Sequence, residues 1–314
     1  MKRSCLVVAM LALLAFGAAA GERAVPEPAV ASEQAARSLL LDVDRAGQRL
    51  VAVGHWGHVV LSDDGGNSWR QAKSVPTRAT LTAVYFTDEL EGWIVGHDAV
   101  ILHTTDGGDS WALQHRAPEL ETPLFSLWFE NARHGLAVGA YGLAFRTENG
   151  GESWERFHVD EEDDLHLNQI FAAADGTLLI AAERGTVYRS RDRGTSWEPR
   201  STTSAGSFWG GLALRTGPLL VFGNRGHIYR SDDDGDSWTV AESDTAQSLT
   251  AAVEFEDGRI IITGLGGTVL ESRDGGKRFR ADTLPELRGY TAATGDAKGG
   301  LLLFGDAGVE RVGH

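Results

Sequence analysis

Apolar residues along the chain come in short runs of four to six, separated by clusters of glycine, aspartate and serine, and no stretch sustains a helical period. One stretch shows the pattern in full. Leu81 to Phe86 is rich in β-branched and aromatic residues, Gly92 to Val95 is the next run and Val100 to His103 the third. A polar turn follows, and Trp111 opens a fourth run. Runs this short, bounded by turn formers, predict strands. The pattern restarts at Leu39, Leu81, Leu124, Leu167, Phe208 and Leu249. A shorter copy begins near Tyr290, with runs at Leu301–Phe304 and Val309–Val312.

The polar turn repeats with the strands. Ser62-Asp63-Asp64-Gly65-Gly66-Asn67-Ser68-Trp69 is echoed by Thr104-Thr105-Asp106-Gly107-Gly108-Asp109-Ser110-Trp111, and further copies end at Trp154, Trp197, Trp238 and Phe279. A glycine pair recurs upstream with the same period: Gly54/Gly57, Gly139/Gly142, Gly223/Gly226, Gly264/Gly267 and Gly305/Gly308. Gly96 with Ala99, and Ala182 with Gly185, are the two departures. Chance produces one such octet but not six in register. Four antiparallel strands returning every 40–45 residues predict an all-β, seven-bladed β-propeller. It would occupy residues 21–314 as a single domain. The last blade has only three strands of its own, so the segment Glu27 to Ser32 is expected to close it as the fourth. Pro26 and Pro28 suit such an edge position.

Composition narrows the setting. The chain has 314 residues, a formal charge of −15 and one cysteine. That acidity excludes a nucleic-acid role, which needs clustered Lys and Arg. Met1-Lys2-Arg3, the apolar run Leu6 to Phe16 and the small residues Ala18-Ala19-Ala20 read as a signal peptide over residues 1–20, cleaved before Gly21. The apolar run is too short to span a bilayer, and no second run of spanning length follows. Cys5 precedes the apolar run, unlike an acylated lipoprotein cysteine, and leaves with the leader. The product is expected to be exported, periplasmic or secreted, and stabilised without disulfides.

The octet resembles the Asp-box, or bacterial neuraminidase repeat. Its acidic position is Asp64, Asp106, Asn149, Asp192, Asp233 and Asp274, and its aromatic position Trp69, Trp111, Trp154, Trp197, Trp238 and Phe279. A short carboxylate or amide accepts backbone N–H bonds inside a turn, glycine supplies positive φ, and the aromatic ring buries apolar area. Calcium is the rival reading, strongest at Asp232-Asp233-Asp234-Gly235-Asp236. An EF-hand loop, however, needs a Glu at its twelfth position, where this chain has Ser243. Asn149 would also be a poor metal ligand, so the boxes read as structural. Asp-box proteins include sialidases, which makes a glycan-acting or glycan-binding protein the alternative function. Sialidases usually carry Arg-Ile-Pro or Arg-Leu-Pro, and neither occurs here; nor does Gly-x-Ser-x-Gly. No catalytic residue, metal or cofactor is therefore expected. A zinc site built from His55 and His97 is the competing possibility; the alternative is loop imidazoles on a polar face.

The leader, the seven units and the phrase Gly92-Trp93-Ile94-Val95-Gly96 followed by Asp106-Gly107-Gly108-Asp109-Ser110-Trp111 resemble the photosystem II stability/assembly factor-like family. Gly135-Leu136-Ala137-Val138-Gly139 with Trp154, and Val221-Phe222-Gly223 with Trp238, are equivalent stretches. The resemblance implies a non-catalytic propeller that binds a protein partner, such as a membrane-protein assembly intermediate. In photosynthetic organisms that partner is the reaction-centre core in the thylakoid lumen, met by an arginine patch. The loop arginines here are Arg184 and Arg225. Loops between second and third strands should share one face with the blade-to-blade connections, and unlike the boxes they differ in every repeat. They supply the candidate partner face: His55, Trp56, His97, Asp98, Tyr141, Glu183, Arg184, Asn224, Arg225 and Asp306. The acidic run Asp160 to Asp164 lies in a connection on the same face.

Overall fold

The structure, a computed structural model, describes residues 27–312. The leader expected over residues 1–20, and Pro26, lie outside the described residues. Strands Leu40–Ala46, Arg49–Gly54, Val59–Ser62 and Arg70–Gln71 form the first antiparallel sheet. The second holds Leu81–Phe86, Gly92–Gly96, Ile101–Thr104 and Ala112–His115. The third runs from Leu124–Phe129 to Glu155–Phe157 and the fourth from Leu167–Ala172 to Glu198–Ser201, each again with four strands in sequence order. The fifth and sixth repeats share an eight-stranded sheet. Two antiparallel units meet there where Thr239–Ser243 runs parallel to Arg278–Thr283. Tyr290–Gly295, Leu301–Gly305 and Gly308–Val312 make a three-stranded sheet.

These sheets are arranged as in a β-propeller. The first strand of every repeat touches the first strand of the next, and Tyr290–Gly295 returns to touch Leu40–Ala46. Second strands are sandwiched on both faces, which is why Leu178–Ala182, Leu219–Gly223 and Leu301–Gly305 are buried throughout and apolar. Each interface joins two repeats: Val53 and Leu61 of the first pack with Val84, Ile94 and Trp111 of the second. The closing interface is built alike, with Leu40, Leu50 and Trp69 against Leu302 and Phe304. Trp69 meets Phe304 edge-on at 5.7 Å. Thr291 Oγ1 donates to Leu40 O at 2.6 Å across the seam, as Thr82 Oγ1 donates to Leu124 O at 2.6 Å two repeats on.

The expected closing strand is absent. Residues 27–32 form no strand, and the last sheet has three. Polar groups on the outer edge of the first repeat capture this segment instead. Ala29 N donates to Val75 O at 2.9 Å, Ser32 N to Gln71 Oε1 at 2.9 Å, and Gln71 Nε2 to Val30 O at 3.1 Å. Arg78 holds Pro28 O and the Glu27 carboxylate. The N-terminal segment still helps to close the ring, but as a connection. A Cβ on Gly308 would lie 2.0 Å from Ala36 O, the relation Gly57 has to Thr77 O (2.1 Å) in a true blade-to-blade connection.

The box turns share one hydrogen-bond pattern. The leading hydroxyl accepts from the second glycine: Ser62 Oγ from Gly66 N at 2.8 Å, Thr104 Oγ1 from Gly108 N at 3.0 Å, Ser190 Oγ from Gly194 N at 2.8 Å. The acidic residue takes that hydroxyl and the N–H four residues on. Asp106 Oδ1 accepts from Thr104 Oγ1 at 2.8 Å and Ser110 N at 2.9 Å, and Asp106 Oδ2 from Ser110 Oγ at 2.5 Å. Asn149 keeps the scheme by reversing one bond, its Nδ2 donating to Ser153 Oγ at 3.0 Å. The Ser68 and Ser62 donors hold Asp64 down at about 2.

The first strands line a polar central channel in which two carboxylates act as latches. Asp42 Oδ2 accepts from Val84 N at 2.9 Å and Asp44 Oδ2 from Phe86 N at 2.7 Å, both in the next repeat. Gln169 Oε1 takes Gly211 N in the same way at 2.8 Å. Asp42 faces the channel and is half-buried. Desolvation, against the opposing Val84 and Val43 N–H bonds, pushes its pKa up to about 7. Asp44 rises to about 6, again chiefly by desolvation.

The two sets of aspartates act in opposite pH windows. Raised carboxyls bind protons more tightly folded than unfolded, so the stability they contribute is present at low pH and lost between about pH 4 and their folded values. The lowered box carboxylates lose theirs below about pH 4. Each raised group contributes a slope of at most about 1.4 kcal/mol per pH unit. Asp42→Asn is expected to remove one such slope, gaining on the wild type as pH rises from 4.5 to 7.5. Urea unfolding at several pH values measures it; parallel profiles for the two proteins would exclude the latch titration.

Candidate functional site

The loops between second and third strands are tight turns standing on one face. Each is tied to the connection entering its own repeat: His55 N donates to Leu39 O at 3.0 Å, His97 N to Thr80 O at 2.9 Å, Ala140 N to Pro123 O at 3.0 Å and Asn224 N to Ser207 O at 3.0 Å. In five repeats the residue at the tip is left-handed: Trp56 (φ 59°), Asp98 (59°), Tyr141 (53°), Arg184 (55°) and Arg225 (59°). Glycine adopts this conformation without strain, and the sixth repeat does use Gly266 there. Five repeats instead place a large or charged side chain at a position costing about 1 kcal/mol or more each.

Four of those side chains, Trp56, Tyr141, Arg184 and Arg225, are exposed, while Asp98 is half-buried. Trp56 is 57% exposed and Tyr141 63%, among the most exposed apolar side chains described. His55 stacks on Trp56 at 4.9 Å, stiffening it. The third and fourth repeats bring several candidates together. Tyr141 lies edge-on to His166 at 4.6 Å, and His166 Nδ1 accepts Tyr141 N–H at 3.2 Å. Glu183 Oε2 takes His166 N at 3.0 Å, and Arg184 reaches Asp163 of the acidic run at 3.4 Å. Asp98 pairs with Arg116 at 3.1 Å. His166 and Arg116 escaped the sequence reading because they sit in connections rather than in the repeating loops. Their signal was position alone, beside Leu167 and just beyond the fourth strand Ala112–His115.

Two candidates stand apart. Asp306 Oδ2 caps Gly289 N at 2.8 Å, a bond internal to its own repeat. Arg225 is exposed and forms no ion pair among the described residues. No group of three His, Cys, Asp or Glu side chains able to hold a metal occurs among the described residues, and no described helix is long and apolar enough to cross a membrane.

The sequence profile of the family described as photosynthesis system II assembly factor YCF48 matches residues 67–211 and 119–261, together more than half of the chain. The chain belongs to this family. A stretch of 45 residues is 42% identical to the photosystem II assembly protein Ycf48 of Thermosynechococcus vestitus, covering 14% of this chain and 13% of that protein. Among solved structures, YCF48 bound to D1 peptide superposes with a TM-score of 0.71 at 21% identity, over 90% of this chain and 94% of that one. YCF48 from Cyanidioschyzon merolae gives 0.69 at 18% identity, over 87% and 94%. At such identities the superpositions speak for the fold alone.

Left-handed tips give a direct check. Trp56→Gly and Tyr141→Gly are expected to leave unfolding stability unchanged or raise it by up to about 1 kcal/mol, because released strain offsets lost packing and added chain entropy. A loss above about 2 kcal/mol in chemical denaturation would make these residues scaffold rather than presented groups.

Proposed function

We propose that this chain is an exported, non-catalytic, seven-bladed propeller that binds a protein partner through its ring of left-handed tips. One observation carries this reading. Five non-glycine residues hold a strained backbone conformation on a single face while their side chains differ from repeat to repeat. Strain kept at positions that a glycine would relieve is characteristic of functional surfaces. Exposed Trp, Tyr and Arg are the side chains that concentrate binding energy at protein interfaces. Membership of the YCF48 family supports the assignment, as does a structural neighbour that binds a D1 peptide.

The seven-blade reading is supported by seven first strands that touch in succession around the channel, if the fifth and sixth repeats are counted separately within their shared sheet. The leader at residues 1–20 supports export to the periplasm, or to the thylakoid lumen in a photosynthetic organism. The non-catalytic reading rests on dispersal: the candidate polar groups stand one or two to a repeat rather than converging on one point. The two carboxyls with raised pKa values, Asp42 and Asp44, are engaged by backbone N–H groups of the neighbouring strand.

A synthetic D1 peptide titrated calorimetrically into the chain lacking residues 1–20 tests the reading. Trp56→Ala with Arg225→Ala is expected to weaken binding by about tenfold or more, with the melting temperature preserved. Equal binding by the double variant would refute the tip surface. Turnover of a sialoside or glucan by the purified protein, abolished by one carboxylate substitution, would replace a scaffold with an enzyme.

A further inference from the structure

We propose that the outer edge of the last repeat is a strand-acceptor site for an extended segment of a partner protein carrying a bulky apolar residue flanked by acidic ones. The repeats themselves define what this site lacks. In the described structure each box turn, with its aromatic residue, covers the second position of the preceding repeat's second strand. Gly194 and Trp197 lie on Leu136, Gly235 is packed on Leu179, Gly276 on Leu220, and Gly66 on Leu302 across the closure. The equivalent position in the sixth repeat is Ile261, and no described box turn covers it. A groove of about 690 Å³ lies there instead, floored by Ile261, Val269, Leu301 and Val312.

The backbone beside the groove is equally incomplete. In the first repeat Val60 and Leu61 pair with Gln71 and Arg70 of the fourth strand. Their counterparts Glu310 and Arg311 pair only inward, with Leu303 and Leu302, among the described residues. An unpaired strand edge beside an apolar groove is the arrangement that accepts an added strand, main-chain bonds supplying affinity and the groove selecting a side chain.

Charge selects the flanks and the occupant. Arg259, Arg273, Arg278 and Arg280 line the groove in a chain whose formal charge is −15. Three carboxylates share the lining, and most of these charges are already engaged: Asp274 accepts the N–H groups of Lys277 and Arg278, Glu271 pairs with Arg273, Arg278 pairs with Glu242 and Arg259 lies 3.8 Å from Asp257, which leaves Arg280 and Asp282 without an ion pair among the described residues. Arg280 is exposed with no ion pair among the described residues. The chain's own N-terminal segment leads away from this edge, since Glu27 is paired with Arg78 beside the second repeat. A partner segment is the occupant that these placements favour.

The probe is a fluorescein-labelled peptide with the sequence of residues 104–115 of this chain. It is a ready-made fourth strand, with Asp106 and Asp109 before Trp111. Anisotropy titration against the chain lacking residues 1–20 is expected to saturate. A Trp111→Ala peptide should bind at least about tenfold more weakly. Arg280→Glu, a surface change, should weaken binding several-fold, and Val312→Asp should abolish it. Bound peptide should slow amide exchange at Glu310 and Arg311, while Trp56→Ala with Arg225→Ala leaves its affinity unchanged. That last control separates this site from the tip surface, so either can fail alone. The proposal is overturned by an absence of saturable binding, by equal binding of the Trp111→Ala peptide, or by indifference to Arg280→Glu. Binding that emerges only after deletion of residues 21–34 would make the chain's own segment the occupant. A dimer in sedimentation equilibrium that Val312→Asp dissociates would make it a second copy. Each of these outcomes also overturns the partner assignment.

Discussion

A small sheet whose central strands are apolar on both faces cannot be stable alone, because one face would always meet water. Every repeat here depends on its neighbours for that reason. Leu136 and Val138 of the third repeat are buried only with Ile170 and Ile180 of the fourth beside them. The dependence passes around the ring and returns through Leu40, Leu50, Leu302 and Phe304. Burial at about 25 cal/mol per Å² of apolar surface, repeated at every interface, makes the ring cooperative in a way that an open stack is not. The seam between Tyr290–Gly295 and Leu40–Ala46 is therefore no weaker in kind than the other interfaces. It uses the same aromatic edge contact and the same threonine-to-carbonyl bond as they do.

Polar groups at the channel wall work to the same end by a different route. Ordinary antiparallel pairing inside a repeat leaves the outward N–H groups of each first strand facing a neighbour that cannot pair with them. Asp42, Asp44 and Gln169 supply the missing acceptors. An aspartate does so at an electrostatic penalty, since the channel hydrates it poorly, whereas glutamine does so without charge. Perturbed carboxyls usually direct attention to catalysis. Here burial between two repeats is a structural cause sufficient for the rise, which the N–H bonds that hold the repeats in register oppose.

Much of this was legible in the chain. The 41–43-residue spacing of Trp69, Trp111, Trp154, Trp197, Trp238 and Phe279 reports the repeat because each ring must reach the same place on the preceding sheet. The glycine at Gly57 reports a close approach, with Thr77 O 2.1 Å from where a Cβ would stand. The fate of residues 27–32 was not legible. Counting strands called for a fourth in the last repeat, but the count says nothing of where Gln71, Val75 and Arg78 would offer better partners. Nor could the loop residues reveal their left-handed backbone, because Trp56 and Tyr141 carry none of the usual marks of positive φ. The contributions of His166 and Arg116 arise only when a connection folds back over a tip.

Frame and tips thus obey opposite demands. Box turns repeat because their bonds are local: any Ser/Thr and Asp/Asn at the right spacing closes the same turn, even where Arg193 and Asp234 hold positive φ in place of the first glycine. Tips are held just as firmly, most of them by an N–H bond to the connection beneath, yet Trp56, Tyr141, Arg184 and Arg225 stand largely in solvent and touch at most a neighbouring loop side chain. Packing therefore places little constraint on residue type there, while backbone conformation favours glycine at each. In the sixth repeat that preference prevails, with Gly266. In five others a larger side chain stands at the strained position, and the exposed contacts it makes, such as Arg184 with Asp163, are of a kind that contributes little to stability. A rigid ring bearing strained groups of several kinds on one rim is the physical form that the proposed binding surface requires.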